Sequence, residues 1–182
     1  LISVWDKTDI IELSSFLIEK NIEIFSTGGT MKILIDANIK VTNISDITKT
    51  GALMDGRVKT LHPKVFWGIL ADRRKKSHLK DLESIDATLF DLVVVNFYPF
   101  EEQAVENNLN LDEAIEYIDI GGPSMIRAAA KNFNHVVPLA APELYNDFMD
   151  TFNREVTIPI KTRKLFASKV FKITSEYEME IY

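Results

Sequence analysis

The run DLVVVNFYPF, residues 91–100, constrains the fold more than any other stretch. Neighbouring side chains of a strand point to opposite sides, so the apolar succession Leu92 to Val95 cannot leave one face wet. Such a strand is buried on both faces and needs a covering layer above and below. Similar short runs occur at LISV (1–4), IEIF (22–25), KVTNIS (40–45) and HVVPLA (135–140). Helical patterns separate them. DKTDIIELSSFLIEKN places Ile10, Leu13, Phe16 and Leu17 at helical spacing. MKILIDAN, residues 75–86, 111–118 and 119–133, PELYNDFMDTF and the segment from Thr157 onward also read as helices. This alternation predicts an α/β fold, a parallel sheet between two helical layers. Pro138 cannot donate to a ladder, so the last strand is expected at an edge. Residues 46–72 fit no regular pattern.

A length of 182 residues suits one domain with a sizeable core. The chain opens on Leu1, so residues are expected to precede it. Without cysteine it can form neither disulfides nor thiolate metal sites, which fits a reducing cytoplasm. No apolar run approaches a membrane span. The net charge of -6 argues against a non-specific nucleic-acid binder. Its local basic clusters therefore suggest a small anion held in a pocket.

The seven glycines, at 28, 29, 51, 56, 68, 121 and 122, fall in three segments read as irregular. Ligands of open α/β sheets bind beyond the carboxyl ends of the strands, and these segments are expected to meet at that rim. STGGT (26–30) offers hydroxyls, backbone amides and a helix start, which suit a phosphate. It equally suits a capped turn, and it is neither a nucleotide-hydrolase phosphate loop nor a dinucleotide fingerprint. In DKT (6–8), Asp6 reads as an N-cap, and Lys7 in a first helical turn opposes the helix dipole unless an anion compensates. GRVKT (56–60) alternates Arg57 and Lys59, which an extended backbone would point to one side. IDIGGPSMIRAAAKNF sets Arg127 and Lys131 four apart on one helical face, with Asp119 just before the glycine pair. Each of these charges could be merely solvated. Together they supply phosphate donors, cations, one carboxylate and Tyr98 at a strand end.

SVWDKT, STGGT, GRVKTLHPKV, VVNFYPF and IDIGGPSMIRAAAKN, in this order and spacing, closely resemble the IMP cyclohydrolase domain of the bifunctional purine-biosynthesis family. The TRKLFASKVF…Y tail resembles the end of that domain, so the likeness spans residues 1–182. It implies a methylglyoxal-synthase-like three-layer sandwich with extra C-terminal helices. It also implies ring closure of 5-formamidoimidazole-4-carboxamide ribonucleotide to IMP, with no metal or organic cofactor. The family's catalytic positions fall on Lys131, Lys59, Tyr98 and Asp119. Its nucleotide-binding positions fall on Ser3, Lys7, Thr27, Gly28, Gly29, Thr30, Arg57, Thr60, Asn96, Ile120 and Gly121. A cytoplasmic homodimer, and a longer chain carrying a transformylase domain, are implied as well.

Some positions depart from the family pattern. Trp5 replaces a usual serine, and Phe66-Trp67 replaces histidine followed by glycine or alanine. Phe133 stands where histidine or tyrosine is common, and Lys172 where histidine is. Two readings follow: a compensating repacking around a working site, or indoles that narrow the pocket. The retained proton-transfer residues argue for the first. A regulatory nucleotide-binding module on the same fold would not need all four of them. A methylglyoxal-synthase-like phosphate lyase would share the TGGT loop but not GRVKTLHP or IDIGGPSMIRAAAKN.

Overall fold

The computed structural model describes residues 1–51, 54 and 57–182. Its strands are β1 (Ile2–Ser3), β2 (Phe25–Ser26), β3 (Thr42–Asn43), β4 (Leu92–Val95) and β5 (Val137–Leu139). They form one parallel sheet in the order β3-β2-β1-β4-β5. Pro138 pairs with Val93 on the edge strand, as a residue without an N–H must. Strand β4 is buried on both faces, as its run of apolar residues demanded. Leu92 and Val94 join a core with Ile10, Leu13 and Leu17 of α1 (Ile10–Glu19), Leu34 of α2 (Gly28–Asp36), and Tyr145 and Phe148 of α8 (Tyr145–Glu155). Val93 and Val95 join the opposite core. There they meet Val65 and Ile69 of α4 (Pro63–Leu70), Met125 and Ile126 of α7 (Gly121–Lys131), and Val170 of α9 (Ile160–Ile181). The remaining helices are α3 (Ile44–Thr48), α5 (Lys76–Ser84) and α6 (Leu111–Ile115), with a π-helical turn at Glu101–Val105 and a 3-10 turn at Pro142–Leu144. The result is a three-layer α/β sandwich.

The strands are shorter than the apolar runs, because each chain leaves the sheet where a loop must reach the rim. IEIF contributes only Phe25, and β4 stops at Val95, freeing Asn96 to Pro99. Helix α2 begins at Gly28, so the glycine pair is its first turn rather than a loop before it. Residues 46–72 are not wholly irregular. His62 caps α4 by accepting the Lys64 N–H on Nδ1 (3.2 Å), and Pro63 occupies the first turn. That proline-started helix, whose apolar residues pack inward, escapes a pattern search because it is only two turns long. Asp6 is not an N-cap either. Its carboxylate accepts the Thr8 N–H (2.8 Å) in a local turn, and α1 starts after Asp9. Lys7 therefore precedes the helix and does not oppose its dipole.

Candidate active site

The carboxyl ends of β1, β2 and β4 surround a cavity of about 760 Å³. It takes Ser3 and Lys7 from the exit of β1, and Thr27, Gly28, Gly29 and Thr30 from the start of α2. Arg57, Lys59 and Thr60 line it from the basic segment, Asn96 and Tyr98 from the exit of β4, and Asp119, Ile120 and Gly121 from the start of α7. Every candidate residue except Lys131 meets here. Lys131 lines a second cavity of about 590 Å³ on the far side of Asp119, together with Arg127, Phe171 and Glu178. The two cavities share only Asp119 and Ile120.

Several polar groups prove to be framework. Thr30 Oγ1 accepts the Val4 N–H (3.2 Å) and donates to the Val4 carbonyl (3.0 Å), tying α2 to β1. Asn96 Oδ1 accepts the N–H groups of Trp5 (2.6 Å) and Asp6 (2.9 Å), which locks the exits of β1 and β4 together. The Lys7 amine donates to the Val4 carbonyl and to Trp5 O (2.8 Å), and burial lowers its pKa. Thr27, at the N-cap of α2, makes no side-chain capping bond. Thr27 thus supplies no acceptor to the first-turn amides of that helix, whose residues Gly28, Gly29 and Thr30 line the cavity.

Lys59 is held over this helix start. Gly28 has φ +55°, and a Cβ there would lie 3.2 Å from Lys59 Nζ. Arg57 and Lys59 both reach the cavity, but from a turn followed by a bend rather than from an extended segment. Gly56, the first residue of GRVKT, lies outside the described residues. Arg57 Nη2 pairs with Glu116 Oε1, so a carboxylate outside the candidate motifs balances one of the cations. Nothing local in EAIEYI marks Glu116, because its partner lies 59 positions away.

The other glycine turn holds a carboxylate of its own. Asp119 Oδ1 accepts the Gly122 N–H (2.9 Å) at the start of α7. A Cβ on Gly122 would lie 2.4 Å from Asp119 Oδ2, so only glycine admits this approach. Burial raises the Asp119 pKa, and the Gly122 and Gly121 amides pull it back down. Tyr98 is fixed by its neighbours. Trp5 lies against it with ring centroids 4.6 Å apart, and Tyr117 meets it edge-on at 6.2 Å. Of the two tryptophans, Trp5 lines the main cavity and Trp67 lines neither cavity. The reading in which both indoles narrow the pocket does not hold for Trp67, which sits on α4 at 45% exposure. Phe66 faces the second cavity, while Phe133 packs against the core around α7. Lys172 is a surface residue paired with Glu176.

Residues 9–124 match the MGS-like domain family. The chain belongs to the MGS-like domain family. Residues 129–182 of this MGS-like chain match a second family, described as AICARFT/IMPCHase bienzyme. The chain is 48% identical over 178 residues to the bifunctional purine biosynthesis protein PurH of Ruminiclostridium cellulolyticum, covering 98% of this chain and 35% of that one. It is 49% identical to PurH of Clostridium perfringens strain SM101, covering 100% and 36%. A crystal structure titled ForH superposes with a TM-score of 0.86 at 34% identity, covering 100% of this chain and 94% of that one. The MGS-like chain thus spans about a third of the length of the curated relatives it matches.

Proposed function

We propose that this chain is an IMP cyclohydrolase domain, closing the pyrimidine ring of 5-formamidoimidazole-4-carboxamide ribonucleotide with loss of water. The observation that carries the reading is the meeting of Lys59, Tyr98 and Asp119 in one cavity beside a helix start whose N-cap Thr27 makes no capping bond. A phosphate fits the α2 amides and the Thr27 hydroxyl, with Lys59 and Arg57 near enough to add charge. The base then extends toward Tyr98 and Asp119. In the reaction the carboxamide nitrogen bonds to the formyl carbon, and the formyl oxygen takes up the displaced electron pair. The Lys59 ammonium stabilises that oxyanion. The Asp119 carboxylate accepts a carboxamide proton and passes it to the formyl oxygen, and the Tyr98 phenol gives that oxygen its second proton; the oxygen leaves as water while the formamido nitrogen surrenders its own proton to the phenolate and forms the ring C=N bond. Holding the two reacting groups together supplies much of the acceleration, because the attack is intramolecular. Lys131, across Asp119, remains the fourth proton-transfer candidate and acts from the second cavity.

The finer expectations belong to the same reading. The cavity would bind a purine ribonucleotide, and the absence of cysteine suits the cytoplasm. Exposed Leu70, Ile120 and Phe171 around the second cavity suit a homodimer contact. The length of the relatives suits a longer chain in which a transformylase domain follows this 1–182 unit. One observation favours a second reading, nucleotide binding without turnover: Trp5 occupies the cavity wall against Tyr98. Turnover of the formamido ribonucleotide, followed by IMP absorbance, separates the two. Tight IMP binding with no ring closure would overturn the cyclohydrolase reading.

A further inference from the structure

Tyr177, near the end of α9, is none of the candidate site residues. It is 4% exposed and sits in a small core of its own with Phe100 and Ala104. Its ring packs on Phe97 at 5.0 Å, and Phe97 lies between the cavity residues Asn96 and Tyr98. Its hydroxyl oxygen accepts the Asp119 N–H at 2.7 Å, and its own proton points to the Tyr117 carbonyl at 3.4 Å. Tyr117 in turn meets the Tyr98 ring edge-on. One side chain therefore touches the backbone that carries the acid and the framework that carries the phenol. Neither Tyr177 nor Phe97 lines the main cavity.

We propose that Tyr177 is a positioning residue of this site: its hydroxyl fixes the Tyr117–Asp119 backbone and its ring fixes Phe97, so that the Asp119 carboxylate and the Tyr98 phenol face the same ligand. The role in turnover rests on the cyclohydrolase reading; the effect on Asp119 does not. The physical chain is short. A buried N–H that loses its acceptor seeks water, and the turn carrying it loosens. Burial is what raises the Asp119 pKa, so admitting water lets that pKa fall. The Tyr177 phenol is itself pushed up by burial and keeps its proton for Tyr117. Other charged and titratable groups also face Asp119. Lys7, Arg57, Lys59, Tyr98 and Glu116 share the main cavity with it, and Arg127, Lys131 and Glu178 share the second. Tyr177→Phe leaves all of these in place.

The test compares Tyr177→Phe with a control on the same helix. Thr174 is buried one turn earlier, and its hydroxyl accepts from Arg127 (3.3 Å) rather than from the Asp119 turn. Thr174→Val removes the two hydrogen bonds of that hydroxyl, from Arg127 and to the Phe171 carbonyl (3.3 Å), and neither involves Asp119. The side-chain carboxyl of Asp119 is titrated by carbon NMR in both variants and in the wild type, and the pH dependence of ring closure is measured alongside. In Tyr177→Phe the Asp119 titration moves down toward the ordinary carboxylate range. The acid limb of kcat moves with it, and kcat falls about tenfold with KM little changed. Thr174→Val leaves both titration and limb at wild-type values. A titration in Tyr177→Phe that is unchanged or raised, or one that moves equally in Thr174→Val, overturns the proposal. If the wild type closes no ring but the Asp119 titration falls only in Tyr177→Phe, the positioning role stands and the cyclohydrolase reading fails.

Discussion

The starts of α2 and α7 are alike in sequence and opposite in use. Each is a glycine pair at the beginning of a helix on the same rim of the sheet. At α2 the N-cap Thr27 makes no capping bond, and the first-turn amides suit a ligand. At α7 Asp119 supplies the acceptor from within the chain. A helix N-terminus attracts negative charge in either case. What differs is whether the fold brings its own. The lesson is that a glycine turn marks where an anion can sit without saying whose anion it is.

Neutralising the internal anion is expected to have the largest effect. Asp119→Asn should lower kcat by roughly 100- to 10,000-fold, the range for a general acid–base group. It should not lower stability at neutral pH. The Asp119 pKa is raised by burial, so ionising this group costs the folded state. Stability contributed by the protonated form is present at low pH and is lost as pH rises through the folded pKa. Thermal melts across pH should therefore show wild type falling below Asp119→Asn as pH increases; coincident curves would break the contrast between the two turns.

Lys59→Ala comes next. It removes the charge that the reading assigns to both phosphate and oxyanion, and kcat/KM should fall by about 100- to 1,000-fold. The paired glycine variants sharpen the comparison most. Gly28→Ala forces a left-handed backbone on alanine and crowds Lys59, so it should weaken phosphate-bearing ligands about tenfold in titration calorimetry while sparing the Asp119 titration. Gly122→Ala should do the reverse, displacing Asp119 with little effect on inorganic phosphate binding. If both variants lose phosphate equally, the two helix starts are not separate devices. The smallest change is expected from Trp5→Ser. It should raise KM by less than about tenfold, because the indole adds apolar contact but no charge. Trp5 fluorescence should respond to IMP in the wild type, whereas Trp67 lies outside both cavities and should not.

Much of the site was legible because its parts are local. STGGT, Asp119-Ile120-Gly121 and the exit of β4 are short, contiguous and chemically distinctive, and strand–helix alternation brings them to one rim. The basic segment was legible as chemistry but not as conformation. Arg57 and Lys59 reach the cavity from a turn, and Pro63–Leu70 is a helix too short to display a period. Lys131 was grouped with the others by resemblance, whereas the last residue of α7 lines the second cavity, which reaches Asp119 from outside the main one.

The sequence alone determined the layers, the edge strand and the family of the chain, since burial on both faces of β4, the missing N–H of Pro138 and ordered motifs are properties of neighbouring residues. Only the tertiary structure decided that Glu116 answers Arg57, that Trp5 rather than Trp67 meets Tyr98, and that Tyr177 holds Asp119 across 58 positions. Those contacts join segments far apart in the chain. No local period encodes them, because they depend on where the helices come to rest on the sheet.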